Sequence, residues 1–450
     1  RPSTRHSLEV APSLVSGERG EGGDRGILDT HDRPLLATFS HTEYRPPFLP
    51  ASRRKALGVL PLRPPVTPPE SHTYAAQTPR LVADARALDA LLAELDANPD
   101  DDVALDTEAD SFHHYFEKVC LLQLARNGTA WLVDPLARLD LAPLFAALAV
   151  RRLLLHGADY DLRLLSRGHG FARRARFDTM LAAQLLGEKE IGLAALLSSR
   201  LGVTLDKSSQ RADWSRRPLS PTLVAYAASD VLHLHALVAL LEADLIAKGR
   251  LAWHAEECAR LLAQDFAPAP DDPETDWRGK GSNAISPKER ASLRELWLAR
   301  DERARALDVP PFRVLHNEAL LAVCRRAAGG ELRLSELFPR ALPAPFAARL
   351  REALEKAAAL PPSSWPPPRR GEPVRPEPAL EKAVNRLKTR RDAVARGLGL
   401  DPGVLASRAA LVEIARAELA ARRSLPPADL VAATGISRWK ADLLAETTNG

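Results

Sequence analysis

Between Arg80 and Gln264 short apolar runs alternate with segments of helical period, and this alternation constrains the fold more than any other feature of the sequence. "ARALDALLAEL" carries apolar residues at helical spacing, and "DDVALDTEA", "KVCLLQLA" and "TAWLVDP" read as neighbouring strands. "LAPLFAALA" then reads as a helix, "RRLLLHG" as a short buried strand, and "DYDLRLLSRG" as a helix closed by Gly168. After "RARFDTM" the pattern is helical to about Gln264. A mixed sheet flanked by helices satisfies this order, so the segment is an α/β domain.

A chain of 450 residues exceeds one ordinary core, so further domains are expected. Residues 1–75 are rich in proline, glycine and charge and cannot bury enough apolar surface to offset their ordering entropy. They are expected to be a disordered N-terminal extension. The α/β domain is assigned to 76–266, a linker containing "APAPDDPETDWRGKG" to 267–284, a first all-helical unit to 285–360, a proline-rich linker to 361–378, and a second helical unit to 379–450. Both helical units begin with a long charged helix, followed by Asp-Val-Pro-Pro in one and Asp-Pro-Gly in the other, a plan that suggests duplication.

The net charge of +4 permits nucleic-acid binding without demanding it, so any basic surface must be local. Cys120, Cys258 and Cys324 are scattered and give neither a disulfide framework nor a CxxC metal clip, which suits a reducing cytoplasm. No run of about 18 apolar residues occurs, so no membrane partner is expected. The first residues lack the pattern of a signal peptide, and the one methionine is Met180, so the natural start is left open.

In "VALDTEAD" an apolar run ends in Asp106, Thr107 and Glu108. Alternate residues of a strand share a face, so Asp106 and Glu108 point the same way, and two like charges held together are costly without a cation between them. A strand running out into solvent would show the same letters. Asp159 and Asp161 follow a buried strand at a helix start, where acids also serve the helix dipole. Tyr226 and Asp230 stand four apart within a long helix and share a face, as a buried tyrosine beside a surface aspartate would too.

Taken in order, D-x-E on a strand, an aspartate after a later strand and Y-x3-D on a helix resemble the DEDD superfamily of 3′–5′ exonucleases. Within its tyrosine-bearing branch the chain is similar to the ribonuclease D family, through "LDTE" (105–108), "HGADYDL" (156–162), "FDTMLAAQLLG" (177–187), "GVTLDKSSQRADWSRRPLS" (202–220) and "YAASDVLHL" (226–234). The resemblance covers about residues 80–250 and implies a ribonuclease H-like mixed sheet. It aligns Asp161, not Asp159, with the third carboxylate. It implies that Asp106, Glu108, Asp161 and Asp230 ligate two divalent cations, Mg²⁺ or Mn²⁺, which suits all-oxygen donors. It further implies that Tyr226 orients the attacking water rather than acting as a base, and that each turnover releases a nucleoside 5′-monophosphate. No nucleotide cofactor is implied.

The family usually has an aromatic residue directly after D-T-E, where this chain has Ala109; Phe112 or Tyr115 would then supply the contact to the terminal base. His113 and His114 have no place in the metal pattern. Lys207, Arg211, Arg216 and Arg217 form a cationic segment expected either to contact the substrate backbone or to be a solvated basic loop.

"LARDERARALDVPPFRVLHNEALLAVCRR" (298–326) resembles the HRDC domain shared by RecQ-type helicases and ribonuclease D, and "LVAATGISRWKADLL" (430–444) resembles the closing helices of a second such domain. The expected fold is therefore α/β followed by two small all-α HRDC-type domains. "GISRWK" places backbone N–H groups, Arg438 and Lys440 at a helix start, and "RLKTRR" (386–391) adds cations. These are expected to contact RNA, unless the domains serve only for packing or protein binding. A fragment of residues 76–266 is expected to fold alone.

The resemblance implies a 3′–5′ exoribonuclease acting on RNA 3′ ends, with tRNA precursors as substrate. A DNA 3′–5′ exonuclease would use the same four carboxylates, and a non-catalytic RNA-binding protein would keep the fold. The segment at 202–220 argues against the first and the intact acid set against the second.

Overall fold

Strand β3 (Val119–Arg126) is buried at every one of its eight positions, and the sheet is built outward from it. The computed structural model describes residues 78–171, 176–206, 208–264, 266, 272, 274–327, 342–368 and 377–445. The extension expected over 1–75, Lys207 and parts of both expected linkers lie outside the described residues.

The α/β part contains β1 (Arg80–Val82), α1 (Ala85–Asp96), β2 (Val103–Ala109), β3, β4 (Thr129–Val133), α2 (Ala142–Ala149), β5 (Leu153–Leu155), α3 (Asp159–His169) and β6 (Arg176–Asp178). Five helices follow, α4 (Thr179–Leu186), α5 (Leu193–Leu201), α6 (Pro221–Leu232), α7 (Leu234–Ala247) and α8 (Leu251–Ala263). The sheet order is β1-β4-β3-β2-β5-β6, with β2–β3 and β3–β4 antiparallel and the other pairs parallel. The sheet is therefore mixed, as the sequence pattern requires. β6 lies within "RARFDTM", ahead of the helical pattern, and unlike the all-leucine β5 its three residues carry no apolar run that marks a strand.

Both faces of the sheet are covered, so its central strands are apolar on both sides. Leu105, Leu122 and Leu124 face the layer holding Leu91, Leu144 and Leu165 of α1, α2 and α3. Ala104 and Leu154 face Leu185, Leu197 and Leu237 on the other side, and Leu121 and Leu132 meet Ala227 of α6 there. Pro221–Ala247 is long and apolar enough by composition to cross a membrane, yet α6 and α7 spend that apolarity on this core.

Asp178, at the end of β6, ties two helix starts together. Its buried carboxylate accepts from the backbone N–H groups of Gly157 and Ala158 at 3.0 and 2.9 Å, ahead of α3. It accepts as well from Met180 and Leu181 at 2.9 and 3.2 Å, which caps α4. Four donors around one carboxylate satisfy groups that would otherwise be buried without partners.

The first helical unit comprises α9 (Pro287–Leu307), α10 (Pro311–Val314), α11 (Asn317–Ala327) and α12 (Ala344–Ala358). Its core takes in Trp277 and Ile285, so the stretch read as linker up to residue 284 is in part a packed edge of this unit. An indole that can be buried is not left in solvent, whatever prolines precede it.

The second unit comprises α13 (Pro378–Leu398), α14 (Pro402–Leu405), α15 (Arg408–Ala421), α16 (Pro427–Thr434) and α17 (Arg438–Leu444). It does not stand apart. Ala395, Leu400, Leu405 and Trp439 belong to the same core as Leu186, Leu241 and Leu245, and Trp439 stacks on Trp253 of α8 at 4.6 Å. Arg250 donates to the carbonyl of Leu398 at 2.6 Å. A fragment of residues 76–266 would lose this shared core, since cutting there strips the cover from one side of α4, α7 and α8.

Asp178→Ala leaves four buried N–H groups without an acceptor and is expected to destabilise the protein by about 2–4 kcal/mol, with Asp178→Asn intermediate. Urea denaturation of the two variants checks this; a loss below about 0.5 kcal/mol for the alanine variant would refute the role given to Asp178.

Candidate active site

Strand β2 outruns β5. The two pair only through Val103 and Ala104, so the backbone beyond residue 104 has no partner on that side and opens on a crevice at the start of α3. Crevices at strand ends of this kind collect ligands in open α/β sheets. A register shift after Glu108 ends the regular pairing with β3, a device common beside functional sites.

Asp106 and Glu108 share the sheet face covered by α6, and α6 brings Tyr226 and Asp230 onto them. Carboxylate oxygens of Asp106, Glu108 and Asp230 lie within 4.8 Å of one another, the one such acidic group among the described residues. Tyr226 stands one turn before Asp230 on α6, close enough for that carboxylate to raise its phenol. Asp161 comes from the opposite layer. It is buried in the first turn of α3 and accepts a hydrogen bond from the Thr107 hydroxyl at 2.5 Å. Asp159, two residues earlier, turns outward into an ion pair with Arg163. The structure thus brings three of the four expected acids into one cluster and holds Asp161 beside it through Thr107.

Burial and crowding set the protonation of these groups. Burial pushes Asp106 up to about 6. Burial, with the charges of Asp106, Asp230 and Asp161, pushes Glu108 up to about 10. Burial, then Asp106, takes Asp230 to about 7, and the same two influences raise Asp161 well above the usual carboxylate range. Burial and the neighbouring carboxylates of Asp230, Glu108 and Asp106 raise the Tyr226 phenol, so it stays protonated at neutral pH. Acids this close resist ionising together, and divalent cations are the hard, oxygen-seeking charges that would relieve them. His156 lines the same cavity, but its Nδ1 is 2.9 Å from the Thr179 hydroxyl and burial lowers its pKa, so it adds no charge. The cavity, about 460 Å³, is completed by Leu193, Ala194, Leu205, Asp206, Gln210 and Leu234.

The expected nucleic-acid contacts fare differently. Lys207 lies outside the described residues. The Arg211 side chain is exposed and its carbonyl accepts from His113 at 3.0 Å. Arg216 is exposed and pairs with Asp213 at 3.0 Å. Arg217 grips both oxygens of Asp134 at 2.6 and 2.7 Å and donates to the carbonyls of Cys120, Trp214 and Arg216, which engages its guanidinium within the fold.

Arg438 and Lys440 also have partners within the fold. The N-terminus of α17 points at the protein's own acids: the backbone N–H of Arg438 donates to Glu256, and Lys440 pairs with Glu257 at 3.0 Å. The Arg438 guanidinium bonds Asp442 at 2.7 Å. This helix start faces the Glu256 and Glu257 carboxylates of α8. Within "RLKTRR", Arg386 meets Glu418 and Arg391 meets Asp392 and the carbonyl of Ala406.

Tyr115 does not reach toward a base, since its hydroxyl donates to Asp301 of α9 at 2.8 Å. His113 and His114 join the same junction, His114 lying 2.7 Å from Asp308 and 2.9 Å from the Ser215 hydroxyl. Sequence reasoning missed Thr107 and Asp178 as positioning groups. An aspartate directly before "TMLAAQLL" is a readable helix cap, whereas nothing in the letters of Thr107 tells which acid it holds.

The 3′–5′ exonuclease family matches residues 79–246, and the HRDC domain matches residues 289–337. The chain is 35% identical over 288 residues to the ribonuclease D of Gluconacetobacter diazotrophicus, covering 62% of this chain and 72% of that relative. It is 32% identical over 341 residues to the ribonuclease D of Granulibacter bethesdensis, covering 73% and 84%. Among solved structures, Escherichia coli RNase D, described as an exoribonuclease involved in structured RNA processing, aligns with a TM-score of 0.60 at 27% identity, covering 82% of this chain and 96% of that one. A protein from Bifidobacterium adolescentis aligns with a TM-score of 0.67 at 25% identity, covering 82% and 95%.

The raised carboxylates fix the sign of a pH effect. A carboxyl group held above its unfolded value binds more protons in the folded state, so stability is lost as pH rises through the folded pKa. Without divalent cations the melting temperature is expected to fall between about pH 4 and 7 as Asp106 and Asp230 ionise, and Mg²⁺ or Mn²⁺ to restore it most at the upper end. Asp230→Asn should flatten both responses. A melting temperature that rises across this range in the metal-free protein would contradict the clustering.

Proposed function

We propose, from the premise that this chain belongs to the ribonuclease D family and is a 3′–5′ exoribonuclease, that Asp106, Glu108, Asp161 and Asp230 are its cation ligands and Tyr226 its water-orienting residue. The observation that carries the assignment is the convergence of Asp106, Glu108 and Asp230 within 4.8 Å beside the Tyr226 hydroxyl. The 3′–5′ exonuclease superfamily uses divalent cations, and an all-carboxylate donor set fits Mg²⁺ or Mn²⁺. Bound there, such ions would supply a water of lowered pKa and charge stabilisation for the leaving 3′ oxygen.

The chain's own residues do the rest. The Tyr226 hydroxyl, protonated and close to Asp230, offers a dipole that orients the attacking water without taking its proton. Thr107 fixes the rotamer of Asp161. Leu193, Ala194, Leu205 and Leu234 offer apolar surface for the terminal base, the contact the family makes with the aromatic that Ala109 replaces.

We read residues 378–444 as a second HRDC-like unit. In support, α9 and α13 both have 21 residues and each is followed by a four-residue helix. Its packing against α8 favours a scaffolding role for the "GISRWK" turn. The substrates we assign are 3′ ends of structured RNA, tRNA precursors foremost, processed in the cytoplasm, where three buried free cysteines are stable.

Asp106→Ala is expected to abolish release of nucleoside 5′-monophosphates in Mg²⁺ and in Mn²⁺ while the fold survives. Turnover within about tenfold of wild type would remove Asp106 from the site. Tyr226→Phe should slow catalysis by roughly 10²-fold or more with little change in RNA affinity; loss of affinity with turnover kept at saturation would make it a binding residue instead. Substrate is tested by comparing 3′-extended tRNA with single-stranded DNA, with and without divalent cation. Trimming of the tRNA extension to a defined end, with the DNA left largely intact, is the expected result, and preference for DNA overturns it.

A further inference from the structure

Four aromatic rings stand exposed on α3, on the loop after β2 and on α10, three elements that hydrogen bonds through that loop connect. Tyr160 (42% exposed) immediately precedes Asp161, Phe112 (49%) and Phe116 (57%) belong to the loop after β2, and Phe312 (42%) lies on α10. The loop ties them together. The Tyr160 hydroxyl donates at 2.5 Å to Glu117, the neighbour of Phe116. At mid-loop, His113 Nδ1 accepts from Arg313, the neighbour of Phe312, at 2.9 Å. A guanidinium can only donate and a carbonyl only accept, so His113 Nδ1 faces Arg313 as acceptor while Nε2 donates to the Arg211 carbonyl. Arg305 lies 6.0 Å from the centre of the Phe116 ring.

The loop is rigid enough to present a surface. Asp110, fully buried, accepts from the Lys118 backbone at 3.0 Å and pairs with its ammonium, while Tyr115 and His114 pin the outer half to Asp301 and Asp308 of the first helical unit. Large rings are not usually left in solvent as a group without a use. Rings interleaved with guanidinium groups are the chemistry that holds single-stranded nucleic acid, by stacking bases on the rings and placing cations near the backbone. Tyr160 also directly precedes Asp161 in the chain, so one end of the group adjoins a proposed cation ligand.

We propose that Tyr160, Phe112, Phe116 and Phe312, with Arg305 and Arg313, form a stacking track for the single-stranded RNA segment that leads into the cavity. It rests on the exoribonuclease reading and deepens it, because it specifies a substrate with an unpaired tail longer than the cavity holds. Stacking carries the grip more than charge does, since Arg305 also faces Asp301 at 3.8 Å.

The test uses the full chain and compares hydrolysis of an RNA trimer and a dodecamer in Mg²⁺. In the double variant Phe116→Ala, Phe312→Ala the dodecamer-to-trimer ratio of kcat/KM is expected to fall roughly tenfold or more, through KM for the dodecamer. The fall should be similar at low and at about 200 mM salt, unlike a loss of phosphate contacts. Tryptophan at both positions should restore the ratio and leucine should not. An unchanged ratio overturns the track. So does recovery with leucine, which would mark the patch as apolar packing or a protein-docking surface. If the wild-type chain released no monophosphate from the dodecamer, the exoribonuclease premise would fail and the proposal with it.

Discussion

Like-charge repulsion at the end of β2 is the constraint around which this molecule is arranged. Water would ordinarily screen carboxylates, but Asp106, Glu108 and Asp230 meet where helices cover the sheet, and their oxygens lie within 4.8 Å of one another. Holding them there is unfavourable for the bare fold, and every neighbouring element bears on that cost. The α6 helix packs through Ala227 and Ala228, small enough to let Asp230 approach the strand. Thr107 turns Asp161 inward from the other layer. Asp178 fixes the starts of α3 and α4 with one carboxylate. A site that strains its own scaffold in this way is stabilised by the cations that give it chemistry.

Much of this was legible in the letters, for a physical reason. Strand geometry alone puts Asp106 and Glu108 on one face, and helix geometry puts Tyr226 and Asp230 on another. Period-based reading finds β2, β3 and β4 because they are five to eight residues long. It fails for β6, whose three residues show neither a period nor an apolar run. The separation of Asp161 from Asp159 could be read only through family resemblance, because both sit in the same helical turn and differ only in which way they face.

Cationic residues were the least legible part. Arginine in a sequence announces charge but not its partner. Arg217 stands in a loop of basic letters, yet Asp134, 83 residues away, holds it in a two-point grip. Arg438 and Lys440 look like a phosphate site at a helix start until α8 supplies Glu256 and Glu257. A modest net charge was the one available warning, since a chain with nearly as many acids as bases can pair most of its cations internally. Tyr115, by contrast, was placed near substrate on grounds of proximity in sequence, and its hydroxyl instead joins two parts of the fold.

The core shared by α7, α8 and the second helical unit has a consequence for how the chain is made. The sheet and α4–α7 are synthesised by residue 247, but Trp439, which stacks on Trp253 and belongs to the same core, emerges only 192 residues later (439 − 247). At about 5–20 residues per second the apolar face that Trp439 covers stays open for roughly ten to forty seconds on the ribosome. During that interval the nascent chain presents a surface a holdase chaperone would bind. A nuclease still under construction therefore differs from the finished one in more than length: its catalytic half exists before the contacts that settle it, and its maturation is timed by translation.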